Sequence, residues 1–213
     1  MAEELRVGFH RQLDEIDAQV RQLFALVSEG LAGATHALLA GDRETARALV
    51  ARDQILDTVY VEVEDLVQSL FALQSPMADD LRFLLSVLRI VPELERSGDL
   101  TEHIAQRAAR GLTPELTPRI RGLIEQMGRV GVEMWRATAE AYAARDGSAA
   151  ALMRERDDEL DDVHVSLTAE LASGTLSIPV AIEMALVGRF YERLGDHAVN
   201  IASRISYLAQ GPS

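Results

Sequence analysis

Cysteine is absent from the 213 residues, which removes disulfide frameworks, zinc fingers, thiolate clusters and cysteine nucleophiles together. Proline is scarce at six residues, and aromatic side chains make up only 5%. No stretch alternates with period two between hairpin turns, so nothing reads as a β-sheet. Positive charge is in the minority. The 34 acidic and 21 basic side chains leave a net charge of -13, which repels nucleic-acid phosphates and argues against such a partner. There is no uninterrupted 18-residue apolar run, and the first residues alternate charge with apolar side chains. The chain therefore reads as cytoplasmic, with neither a signal peptide nor a membrane span. A glycine-rich phosphate loop, a GxSxG elbow and a recognisable nucleophile triad are also missing.

What is present is apolar sequence at helical spacing. Apolar residues are 48% of the chain, enough for a core, and Leu5, Phe9, Leu13, Ile16, Val20 and Leu23 recur every three or four positions. The expected fold is all-α, with helices over 2–40, 43–73, 77–110, 115–145, 148–172 and 178–209. Pro76 and Pro179 stand where helices should begin, Pro114 and Pro118 mark a linker, and Pro92 falls inside a helix, where a kink is expected. Trp135, Met127 and Met134, at helical spacing, read as core.

The chain repeats itself. Residues 42–57 align with 146–161, with Asp42, Ala46, Arg52, Asp53, Leu56 and Asp57 matched identically. Residues 95–107 (ERSGDLTEHIAQR) align with 192–204 (ERLGDHAVNIASR), sharing seven of thirteen positions. The two offsets differ by seven residues, about two helical turns, so a shortened hairpin keeps the same inward face. The organisation is two tandem three-helix units, 1–112 and 113–213, packed as two bundles side by side.

Each unit carries paired acids one turn apart: Asp53 with Asp57 and Glu95 with Asp99, then Asp157 with Asp161 and Glu192 with Asp196. Residues i and i+4 share a helix face, where like charges cost about 0.2–0.5 kcal/mol per pair. In an antiparallel hairpin, residues at one level have a constant sum of numbers. That sum is 152 for both facing pairs in the first unit and 353 in the second, which puts the bends at Pro76 and within SGTLSIP. Four carboxylates per hairpin should then stand together. Such a cluster, without thiolates, suits iron, manganese, magnesium, calcium or, less typically, zinc. The competing reading is a solvated face screened by Arg52, Arg96, Arg156 and Arg193. His103 and Asn200 occupy equivalent slots four residues beyond Asp99 and Asp196. His103 and His197 could each extend a cluster or stand as a surface histidine.

Two functional classes compete at this point. A carboxylate-bridged di-iron, ferritin-like enzyme needs inward-facing Glu and Glu-x-x-His motifs, and Asp161-x-x-His164 is the nearest match. A helical scaffold without metal is the other. Carboxylates pointing into the bundle core would mark the enzyme.

With ERSGD and ERLGDHAVN in matched positions, and LQSPMADDLR before the first, the chain resembles the PhoU family over nearly its whole length. That resemblance implies a six-helix fold and no catalysis. It also implies E/D-x-x-x-D metal clusters at Asp53, Asp57, Glu95 and Asp99, and at Asp157, Asp161, Glu192 and Asp196, with Asn200 completing ExxxDxxxN. The first unit departs from the pattern by placing His103 in the asparagine slot, and the second has no counterpart of Asp80-Leu81-Arg82. The implied role is a negative regulator of phosphate uptake. It would act between a phosphate ABC transporter, through its ATPase subunit, and a sensor histidine kinase, with a second copy of the chain as a further candidate partner in a homodimer.

Overall fold

A computed structural model describes the backbone of residues 2–73 and 76–210, and the side-chain surroundings of these residues except 2–6, 53 and 73. Its helices are α1 (Ala2–Ala40), α2 (Arg43–Leu73), α3 (Ala78–Arg110), α4 (Pro118–Ala144), α5 (Ala149–Ala172) and α6 (Ile178–Ala209). No strand occurs among the described residues. A 3₁₀ turn, Thr113–Glu115, fills the linker, where the sequence predicted that the fourth helix had already begun. The cause is Pro118, which forces Thr117 into an extended conformation. The Thr117 side chain then caps α4 by accepting from the Ile120 amide at 3.2 Å.

The two first turns between helices solve the same problem differently. At the end of α1, Gly41 takes the left-handed conformation (φ 72°) and Asp42 caps α2 through the Glu44 and Thr45 amides. At the end of α4 the left-handed place is held by Arg145 (φ 54°). The Arg145 guanidinium is anchored by the Asp17 carboxylate at 2.7 Å and stacks on Tyr142. Pro92 lies within α3 without ending it.

Helix α1 packs on α2, α3 and α4; α3 packs on α2 and α6; α5 touches α4 and α6. Thus α1–α4 and α3–α6 join the repeats, while α2 and α5 form the outer walls. One apolar core runs through both units, with Trp135, Met127 and Met134 fully buried within it. A buried hydrogen-bonded relay crosses between the repeats: the Tyr191 hydroxyl donates to Thr35 Oγ1 at 2.7 Å, and Thr35 donates to the Leu31 carbonyl. Such bonds contribute about 1 kcal/mol each. Val7–Ala40 is long and apolar enough to cross a membrane, its most apolar window reaching a mean hydropathy of 1.4. That apolarity escaped a search for uninterrupted runs because charged residues break it up. Its strongest stripe, Ile16, Val20, Leu23, Phe24, Val27 and Leu31, faces the core of the bundle.

Candidate functional site

The carboxylates ride on two antiparallel hairpins, α2–α3 and α5–α6. Close packing at their level comes from glycine. A Cβ on Gly98 would meet Leu56 Cδ1 at 2.5 Å, and one on Gly195 would run into the Asp157 carboxylate and lie 2.8 Å from Leu160 Cδ2. The glycine of each ERxGD segment thus lets the outer helix approach the α3 or α6 backbone beside the acids. The sequence carried this signal, a glycine between the Glu and Asp of both motifs, although its role depends on the approach of another helix.

In the second hairpin Asp157, Asp161, Glu192 and Asp196 come together electrostatically. Burial, then Asp161, Asp196 and Glu192 in turn, push the Asp157 carboxyl up to about 6. Its Oδ1 is buried and accepts no hydrogen bond. Glu192 is also raised, chiefly by burial; Arg189, with which it pairs, opposes this, and Asp196 and Asp161 reinforce it. Asp161 and Asp196 are exposed. In the first hairpin Glu95 is raised by burial and by Asp99 and Asp57, and Asp99 by burial and Asp57. Asp57 and Asp99 face solvent. The Asp53 side chain lies outside the described residues.

Of the described acids, Asp57, Asp99, Asp161 and Asp196 are exposed and Glu95, Asp157 and Glu192 half-buried, so these seven line outward faces. Among the described residues the buried polar side chains are Thr35, Ser86, Ser97, Thr101, Thr113, Thr138 and His197, with no carboxylate among them. A ferritin-like centre, which needs inward-facing glutamates, has no counterpart among the described residues. Among the described residues, no three His, Asp or Glu side chains converge on one point, as expected of like charges that repel. The donor chemistry nevertheless suits a hard cation in the second hairpin. It offers an orphaned carboxylate oxygen held against backbone and flanked by three more acids.

The flanking residues divide. His103 is half-buried, stacks on Phe190 with ring centroids 5.3 Å apart, and offsets part of the rise of the Asp99 carboxyl. Asn200, one turn beyond Asp196, lines a groove between α6 and α3. His197 is neither a surface histidine nor part of a cluster: only 7% exposed, it donates from Nδ1 to the Glu93 carboxylate of α3. His164 was missed as a neighbour of the second cluster. It packs against Gly188 and offsets a small part of the rise of the Glu192 carboxyl. Its signal was the one-turn spacing from Asp161, legible only as an incomplete di-iron motif.

The PhoU domain model matches residues 20–108 and again 124–205. The chain is 33% identical over 210 residues to the phosphate-specific transport system accessory protein PhoU homolog 1 of Mycobacterium leprae, covering 97% of this chain and 95% of that protein. PhoU from Pseudomonas aeruginosa superposes with a TM-score of 0.87 at 26% identity, covering 94% of this chain and 98% of the other. The phosphate transport system regulatory protein PhoU from Streptococcus pneumoniae gives 0.85 at 27%, covering 94% and 96%. A twice-matched domain, near-complete alignment and a shared six-helix architecture lead to one conclusion: the chain belongs to the PhoU family.

Proposed function

We propose that this chain is a non-enzymatic, cytoplasmic regulator of phosphate uptake that restrains phosphate-starvation signalling when phosphate is plentiful. The observation that carries this reading is kinship along nearly the whole chain with proteins named as accessory to, or regulatory of, phosphate transport. The repeats, 1–112 and 113–213, each present one acidic hairpin face. Asp157, Asp161, Glu192 and Asp196 would hold a metal ion on the second, and Asp53, Asp57, Glu95 and Asp99 on the first, with His103 and Asn200 at their margins. Iron, manganese, magnesium and zinc all fit the donor types. The cation would neutralise clustered negative charge and turn a self-repelling surface into one that a partner can dock on. The partners in this reading are the ATPase subunit of a phosphate ABC transporter and a sensor histidine kinase, met by helix-face contacts.

The test is a strain lacking the gene, grown in abundant phosphate. Starvation genes should be expressed there and repressed again when the chain is supplied in trans. Normal repression in a strain lacking every related copy would contradict the reading.

A further inference from the structure

Helices α3 and α6 run antiparallel, as the Glu93–His197 and Arg107–Glu183 pairs require. Because the repeat relates residue n of α3 to n+97 of α6, the seam has two equivalent ends. At one end Phe190 fills the space, His103 stacks on it, and the Arg107 guanidinium lies 4.9 Å over its ring. Arg107 and Arg110 are both paired there with Glu183.

The other end is open. The counterpart of Phe190 is Glu93, and a groove of about 540 Å³ remains, within the size range of small-molecule sites. Arg89, Arg96 and Arg204 line it with Asn200, Ser203, Leu88 and Pro92. Glu93, its single carboxylate, is held by the buried His197 and by Arg96 at 3.5 Å. Arg89 and Arg204 make no hydrogen bond or ion pair among the described residues, in contrast to Arg107, the repeat counterpart of Arg204. Three arginines thus line one cavity against a single carboxylate, in a chain of net charge -13. Every basic residue of this chain is arginine, the side chain whose planar fork matches phosphate oxygens two at a time.

We propose that this groove binds a phosphate or phosphate ester, gripped by Arg89 and Arg204, with Arg96, Asn200 and Ser203 completing the polar lining. The groove shares Asn200 with the margin of the second carboxylate cluster but none of that cluster's four acids, and the proposal does not rest on the uptake reading. Leu88 and Pro92 supply an apolar wall for the remainder of an ester.

The experiment is calorimetric titration of the full chain, in the presence of a chelator, with inorganic phosphate, pyrophosphate and ATP as separate probes. At least one should bind, more weakly as salt rises. Binding of inorganic phosphate would identify the free anion as sufficient; binding of ATP without the inorganic probes would identify an ester. In either case Arg89→Ala/Arg204→Ala should lose about tenfold or more in affinity, and Ser203→Glu, which adds a repelling carboxylate, should weaken binding independently. Circular dichroism should read unchanged helicity for both variants. Arg47→Ala/Arg136→Ala, which removes equal charge elsewhere, should bind as the parent does. No binding by any probe, undiminished binding by the Arg89/Arg204 variant, or an equal loss in the Arg47/Arg136 control would overturn the proposal.

Discussion

At one end of the α3–α6 seam an aromatic ring, Phe190, occupies the position that a carboxylate, Glu93, occupies at the other. The sequence repeat places these two residues in equivalent positions on α3 and α6, so the comparison is between side chains. Phe190 packs against the apolar core and covers His103 and Arg107. Glu93 instead reaches across to a buried histidine and leaves the arginines beside it exposed to the groove. A tandem repeat can thus keep one interface and still build two different surfaces at its ends.

Substitutions can break this comparison, and the largest effect should come from the closed end. Phe190→Ala removes a half-buried ring and should cost about 2–4 kcal/mol, read as a shift in urea midpoint. A loss below roughly 0.5 kcal/mol would mean that the ring is not structural. At the open end Glu93→Ala strands the buried His197 Nδ1 and should cost about 1–3 kcal/mol. Glu93→Gln keeps an acceptor and should cost less. If the two Glu93 variants are equally unstable, the hydrogen bond to His197 is not what joins the repeats there.

The smallest effect concerns the acids. The Asp157 carboxyl titrates near 6 in the folded chain, above the ordinary value of about 3.9. Its contribution to stability is therefore fully present below about pH 4 and is lost as pH rises through about 6. In chelator, Asp157→Asn should unfold at a higher temperature than the parent at pH 7.5, and the gap should close by about pH 4. A gap independent of pH would remove burial among like charges as the cause.

Much of this is legible in the sequence alone. Six helices followed from apolar spacing, and the facing levels of both hairpins from the constant sums of residue numbers, because helix rise is regular. Gly98 against Leu56 and Gly195 against Asp157 agree with those levels to within a few residues. Other features depend on which way a side chain turns at a helix crossing. The motif displayed His197 beside an acid, and only the packing of α6 on α3 buries it. Asn200 and His103 hold equivalent slots, yet one lines the open groove and the other stacks on the ring that closes its counterpart. Tyr60, the repeat counterpart of His164, bonds Glu64 at 2.9 Å, so equivalent slots beside the two clusters differ as well.

The proposed binding of metal ions by the outward acidic hairpins is decided by elemental analysis. Chain purified without a metal-affinity tag should be stripped with chelator, reloaded, and compared with the variant Asp157→Asn/Asp161→Asn/Glu192→Gln/Asp196→Asn. The account predicts that the variant loses the metal of the second hairpin and retains that of the first. A variant that retains as much metal as the parent, or a parent that takes up none, would contradict it.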